Sequence, residues 1–301
     1  MEKRILVTGG TGFIGQALCP TLISRGYSLT VLSRQPVGQV QALCGQVEAL
    51  SDLQNLNGHV GFDAVINLAG EGIADKRWSD SRKQALRDSR IALTHKLANV
   101  IRSWQKPPEV LVSGSAVGFY GDQGSKPVTE STAPVEEFTH RMCRDWENEA
   151  LALSSEKTRV CLSRTGIVVG PGGGFLQRML LPFKLGLGGR IGDGHQYMPW
   201  VHRDDMVSAL IWMLETPEAN GAYNVVSPEP VTNRRFTSEL ASVLNRPAFF
   251  PVPSPVLKMA LGEMARLLLT GQKAFPKKLT DEGFSFAYRE LRAALKDAIR
   301  F

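Results

Sequence analysis

One short stretch constrains this chain more than any other. Residues 8–15 read TGGTGFIG, directly after the apolar run RILVT at 4–8 and at the start of a helical pattern over 13–25. Glycines fall at 9, 12 and 15. Gly9 permits a tight turn between strand and helix. Gly12 lets backbone N–H groups approach a pyrophosphate, and Gly15 lets the helix pack closely on its strand. The helix N-terminus adds partial positive charge at the same point. Ile14, Leu18 and Leu22 share one helical face, and Gly26 reads as the residue that ends the helix. Pro20 lies inside it, where a kink or a lost hydrogen bond is expected.

The rest of the first half repeats the strand-then-helix rhythm. Apolar runs at 28–33, 63–68, 109–113 and 158–164 alternate with helical patterns near 80–104 and 138–154. Continuous apolar strands separated by helices imply a parallel sheet covered on both faces, a doubly wound α/β fold. Beyond residue 170 the chain turns glycine-rich (170–174, 186–194). A helix near 203–216 and a strand near 222–226 are expected to return to the sheet. The expected division is a dinucleotide-binding unit over 1–170 with 200–228, and a smaller, mostly helical substrate or cover region over 171–199 and 229–301. The second strand ends Leu32-Ser33-Arg34 with no carboxylate to hold a ribose 2′-hydroxyl. Arg34 with Ser33 suits a 2′-phosphate and favours NADP(H) over NAD(H); a plain surface arginine is the alternative.

Composition excludes several classes. The longest apolar runs fall short of the roughly 18 residues that span a bilayer, and the strand after Glu2, Lys3 and Arg4 is too short for a signal-peptide core. The net charge of +6 is spread among interleaved acids and bases, which suits a solvated surface better than nucleic-acid binding. Cys19, Cys44, Cys143 and Cys161 are scattered, and the five histidines make no ligand spacing with them. Reduced thiols, a cytoplasmic location and no metal are expected.

The glycine spacing, NLAG at 67–70, SGSAVGFYG at 113–121 and GDGHQYMPWVHRDD at 192–205 together resemble the extended short-chain dehydrogenase/reductases, whose Rossmann fold hosts nucleotide-sugar epimerases and dehydratases. The tail GQKAFPKKLTDEGFSFAY at 271–288 is similar to the C-terminal extension of a bacterial epimerase family, with cyanobacterial and plastid relatives linked to cell division. The resemblance implies that Thr11, Gly12, Phe13 and Ile14 meet the pyrophosphate and Ser33 and Arg34 the 2′-phosphate. Leu68, Ala69 and Gly70 pass beneath the ribose. Ser113, Gly114 and Ser115 reach the nicotinamide, and Arg164, Thr165, Gly166 and Val168 close over its other side.

The family's Tyr-x-x-x-Lys pair is missing. Four residues after Tyr27, Tyr120, Tyr197, Tyr223 and Tyr288 stand Val31, Gly124, Val201, Ser227 and Arg292. Aligned on Ser115 and Trp146-Glu147, the tyrosine position holds Thr139 and the lysine position Cys143; Arg90 takes a nearby asparagine's place. A threonine hydroxyl is far too weak an acid to replace an activated phenol, and a thiol cannot mimic an ammonium. Ser115 keeps the substrate-serine position, and Tyr120 is the substitute acid, with the wall of the cofactor pocket as its other reading. His140 reads as an alternative acid or an exposed helical histidine. GSAVG lacks the GxSxG spacing of a hydrolase elbow. On the substrate side, Tyr197 and Trp200 are expected to pack a planar or apolar part, with Gln196 and His202 as polar contacts. Asp204 or Asp205 is expected to cap the next helix. Lys76 and Arg77, with Trp78, suit an anionic substrate or a solvated loop, and 172–190 suits a mobile cover with an apolar underside.

Two functions follow: an NADP(H)-dependent oxidoreductase or epimerase-like enzyme on a small molecule, or a non-catalytic NADPH-binding regulator with a protein partner. A homodimer suits either.

Overall fold

The computed structural model describes residues 3–299. Residues 1, 2, 300 and 301, at the outer ends of the two regions delimited above, lie outside the described residues. Strand β1 (Arg4–Thr8) runs into helix α1 (Gly15–Ser24), followed by β2 (Ser28–Leu32), α2 (Val37–Cys44), β3 (Glu48–Leu50) and β4 (Ala64–Asn67). Helices α3 (Asp80–Arg87) and α4 (Leu93–Arg102) are joined by a π turn at Asp88–Ala92, so the helical pattern over 80–104 forms one nearly continuous rod. Then come β5 (Val110–Ala116), α5 (Phe138–Leu151), β6 (Arg159–Thr165), α6 (Gly174–Lys184), α7 (Arg203–Glu215) and β7 (Gly221–Val225). The seven strands form one parallel sheet in the order β7-β6-β5-β4-β1-β2-β3. This is the Rossmann-like, doubly wound fold.

Side-chain alternation along the strands divides the core between the two faces. Ile5, Val7, Val31 and Val112 pack with Leu18 and Leu22 of α1 and Met206, Leu210 and Met213 of α7. Leu6, Val65, Leu111 and Val160 face the other way, onto Leu97 and Ile101 of α4 and Ala150 of α5. β3 and α2 were not read from the sequence. β3 is a three-residue, half-exposed edge strand, too short for the apolar run that marks a buried one. Helix α1 continues through Pro20, at the cost of one backbone donor. It ends at Gly26 (φ +83°), whose N–H donates to the Ile23 carbonyl.

After β7 follow α8 (Asn233–Leu244), α9 (Ser254–Leu261) and α10 (Leu291–Ala298). A second core joins α8 and α10 to the cover segment, with Leu176, Phe183, Trp200, Phe236, Leu240 and Leu295 buried together. The tail is stitched to the sheet unit by backbone. Lys273–Ala274 pairs in parallel with Pro127–Val128, and the Asp205 carboxylate accepts the Ala287 and Tyr288 N–H groups at 2.7 and 2.9 Å. Neither Asp204 nor Asp205 caps α7. The cap is His202, whose Nδ1 accepts the Asp204 N–H at 3.2 Å; the two aspartates lie in the first turn, where they complement the helix dipole. No helix among the described residues is long and apolar enough to cross a membrane.

Candidate cofactor and substrate cleft

The glycine turn is built by close packing. Gly9 sits at φ +72°, and a Cβ there would fall 2.6 Å from the Leu68 carbonyl carbon. A Cβ on Gly15 would fall 2.4 Å from the Gly9 and Gly10 oxygens, so a side chain at either position would push α1 off the strand ends. The Gly12 N–H folds back onto the Gly9 carbonyl at 3.0 Å. No side chain caps α1 at Ile14. Gln16 N–H already donates to the Gly12 carbonyl and Ala17 N–H to that of Ile14, so among the described residues the N–H groups of Phe13, Ile14 and Gly15 are the ones left to an anion. The Phe13 ring packs against Gly173 and Gly174, with the Arg203 guanidinium 5.3 Å from its centroid.

Two residues past β2, the Arg34 side chain is exposed and has no hydrogen-bond or ion-pair partner among the described residues. The strand register sets Leu32 beside Thr8, so Arg34 emerges next to the turn. Ser33 Oγ is engaged locally by the Gln35 N–H at 3.2 Å. Leu68 and Ala69 are half-buried under the turn, Ala69 N–H reaching Thr8 Oγ1 at 3.3 Å, and Gly70 is exposed beside the Arg90 guanidinium.

From Phe13 a cavity of about 790 Å³ extends between the sheet ends and the segments after residue 170. Thr165, Gly166 and Val168 line it, and so does Tyr197. Thr139 and Cys143, the positions that lack the family's tyrosine and lysine, also line it. Burial pushes the Cys143 thiol up to about 12, which keeps it neutral. Trp78 forms another wall; its Nε1 donates to the Ile73 carbonyl at 2.9 Å. Lys76 and Arg77 are exposed.

Several expected site residues are committed elsewhere. Ser115 is buried and donates to Glu147 Oε1 at 2.6 Å, while Arg164 grips both Glu147 oxygens at 2.8 Å through Nε and Nη2. Arg164 Nη1 donates to the Tyr120 hydroxyl at 2.9 Å, and that hydroxyl donates to Asn224 Oδ1 at 2.6 Å. Burial raises Tyr120 to about 12, against the pull of Arg164. None of the three lines the cavity. Tyr120 is therefore neither the proton donor nor a wall residue, and Arg164 is a structural ion pair stacked 3.5 Å over Phe119. Ser113 is fully buried with Asn67, and Gly114 lies tight against the Trp146 ring. His140 is buried, not exposed, with Nδ1 on the Phe119 carbonyl at 2.7 Å and Nε2 3.6 Å from Glu136, and it does not line the cavity.

The substrate contacts divide in the same way. Trp200 is buried in the second core, its Nε1 on the Glu229 carbonyl. His202 is fully buried, 3.7 Å from the Tyr288 ring centroid, with Nε2 3.2 Å from Asp297. Neither reaches the cavity. His202, Asp204 and Asp297 hold ligand-type atoms within 4.8 Å of one another. Sequence reasoning missed Glu147 as an organising residue. Its signal was present: 140, 143, 147 and 150 form the buried stripe of α5, and a carboxylate on that stripe demands a buried cation.

A profile described as NAD dependent epimerase/dehydratase family matches residues 5–226. The chain belongs to that family. A domain of unknown function, DUF1731, matches residues 252–298. Mouse "Epimerase family protein SDR39U1" is 39% identical, covering 98% of this chain and 99% of its own length. The Bacillus subtilis epimerase family protein YfhF is 37% identical, covering 98% of each. Among solved structures, human SDR39U1 (isoform 2) with NADPH superposes with a TM-score of 0.90 at 36% identity, covering 98% of each chain. The Bacillus cereus UDP-glucuronic acid 4-epimerase with UDP-glucuronic acid and NAD gives 0.78 at 19% identity, over 98% of this chain and 97% of the other; it shares the fold.

Proposed function

We propose that this epimerase-family protein is an NADP(H)-dependent oxidoreductase acting on a small molecule. The observation that carries the reading is the cavity: it joins Phe13, at the phosphate turn, to Thr165, Gly166 and Val168 and then to a covered chamber large enough for a ligand. The open N–H groups at the start of α1 would hold the pyrophosphate, and Arg34 the 2′-phosphate. Human SDR39U1, the relative crystallised with NADPH, supports the same cofactor here. When bound, NADPH supplies a hydride to a carbonyl carbon while the oxygen takes a proton, leaving alcohol and NADP+. Of the five tyrosines only Tyr197 lines the cavity, and its hydroxyl has no hydrogen-bond partner among the described residues. Tyr197 is the group we assign to give that proton.

Thr139 and Cys143 favour a second reading, an NADPH-binding regulator without turnover. Calorimetry with NADPH and NADH on the wild type and Arg34→Ala tests the cofactor. NADPH affinity is expected to fall about ten- to hundredfold, the worth of charge-assisted bonds to one phosphate, with NADH little changed. Equal loss for both, or for neither, refutes the role of Arg34. Carbonyl-dependent NADPH oxidation that Tyr197→Phe abolishes separates enzyme from regulator.

A further inference from the structure

The cavity differs sharply from what a phosphorylated sugar requires. Its walls beyond the nicotinamide end include Trp78, Phe138, Met142, Phe175, Leu267 and Leu268. Its charged groups are already paired within the chain: Arg178 with Asp75, Arg266 with Glu137 and Glu263 with Lys83. Among the described residues lining it, no cation is left unpaired for a diphosphate. Three of the four lining amides are tied up as well, the exposed Gln177 being the exception. Gln196 Nε2 donates to the Ile191 and Leu268 carbonyls, Asn233 Oδ1 accepts the Ile191 N–H, and Gln272 Nε2 donates to the Gly121 carbonyl. Two lining hydroxyls, on Thr139 and Tyr197, have no hydrogen-bond partner among the described residues. A doubly charged diphosphate would have to break these ion pairs or enter unpaired, and a sugar ring would bury more hydroxyls than Gln177, Thr139 and Tyr197 can partner; both are costly. An uncharged molecule with one carbonyl meets neither penalty and gains by covering apolar wall.

We infer that the ligand of this cleft is a largely apolar, uncharged carbonyl compound and not a sugar nucleotide. The inference rests on the oxidoreductase reading for its chemistry, hydride to the carbonyl carbon and a proton to its oxygen at the expense of NADPH, but on the walls alone for its ligand class.

The test uses the full-length protein saturated with NADPH. Nile red, an uncharged polarity-sensitive dye, is bound and then competed with acetophenone, 2-decanone and UDP-glucose. The dye is expected to bind and the two ketones to displace it, while UDP-glucose does not. Phe138→Lys and Leu268→Lys, each placing an ammonium in an apolar wall, are expected to weaken dye binding about tenfold or more. Calorimetric binding of NADPH should be unchanged in both, which also shows that they are folded. Displacement by UDP-glucose at concentrations where the ketones have no effect overturns the inference. So does unchanged dye affinity in both variants. Absence of heat with NADPH defeats the cofactor reading instead, and the same dye competition on the NADPH-free protein still decides the ligand class.

Discussion

At the scale of single residues, Glu147 organises more of the interior than any group the family pattern points to. Its two oxygens hold Arg164 and Ser115, and through Arg164 they fix Tyr120 and, beyond it, Asn224. A carboxylate and a guanidinium this deeply buried are tolerated only as a pair. Glu147→Ala leaves Arg164 without its counter-ion and is expected to cost about 3–5 kcal/mol in urea unfolding; Glu147→Gln, which still accepts from Ser115, costs less. A Glu147→Ala protein within about 1 kcal/mol of wild type would show that solvent reaches the arginine. Ser115 belongs to this assembly, so its hydroxyl serves packing here.

Among elements, those buried on both sides were legible. β1, β2, β4, β5 and β6 show as apolar runs because a parallel strand covered on two faces leaves no place for a charge. The glycine turn was legible because only glycine fits at 9 and 15. Side-chain direction was not. Ser115, Tyr120 and Arg164 stand in the right order along the chain, yet Ser115 and Arg164 turn to Glu147 on α5 and Tyr120 pairs with Arg164 and Asn224. The cap of α7 was misread for a related reason: aspartate is a common cap, but the tail claims Asp205, and His202 takes the position. Burial lowers the His202 pKa below its ordinary value of about 6.5, with Asp204 and Asp297 opposing it. Protonating Nδ1 would also remove the acceptor of the Asp204 N–H. The unfolded chain therefore takes up a proton at higher pH than the folded one. The contribution is complete above about pH 6.5 and declines as the pH falls below it. His202→Asn, which can cap but not titrate in this range, should flatten the decline in thermal stability between about pH 7.5 and about pH 5.5. An identical decline in both proteins would assign the effect to other groups.

Across the whole molecule, the cover segment and parts of the tail share a second core, and they also meet the sheet unit at the rim of the cleft. There Arg178 of α6 meets Asp75, and Arg266 of the tail meets Glu137 ahead of α5. Both arginine side chains are about half exposed, 56% and 52%, so dissolved ions screen them, while the apolar cores beneath are indifferent to such screening. Raising the salt should unlatch the mouth while leaving the fold intact: ketone ligands enter and leave faster in stopped-flow mixing, with the melting temperature nearly constant. If exchange rates stay flat across the salt range, the rim is no latch. A chamber that admits neutral molecules would then have a doorway whose stiffness is set by the electrolyte around it.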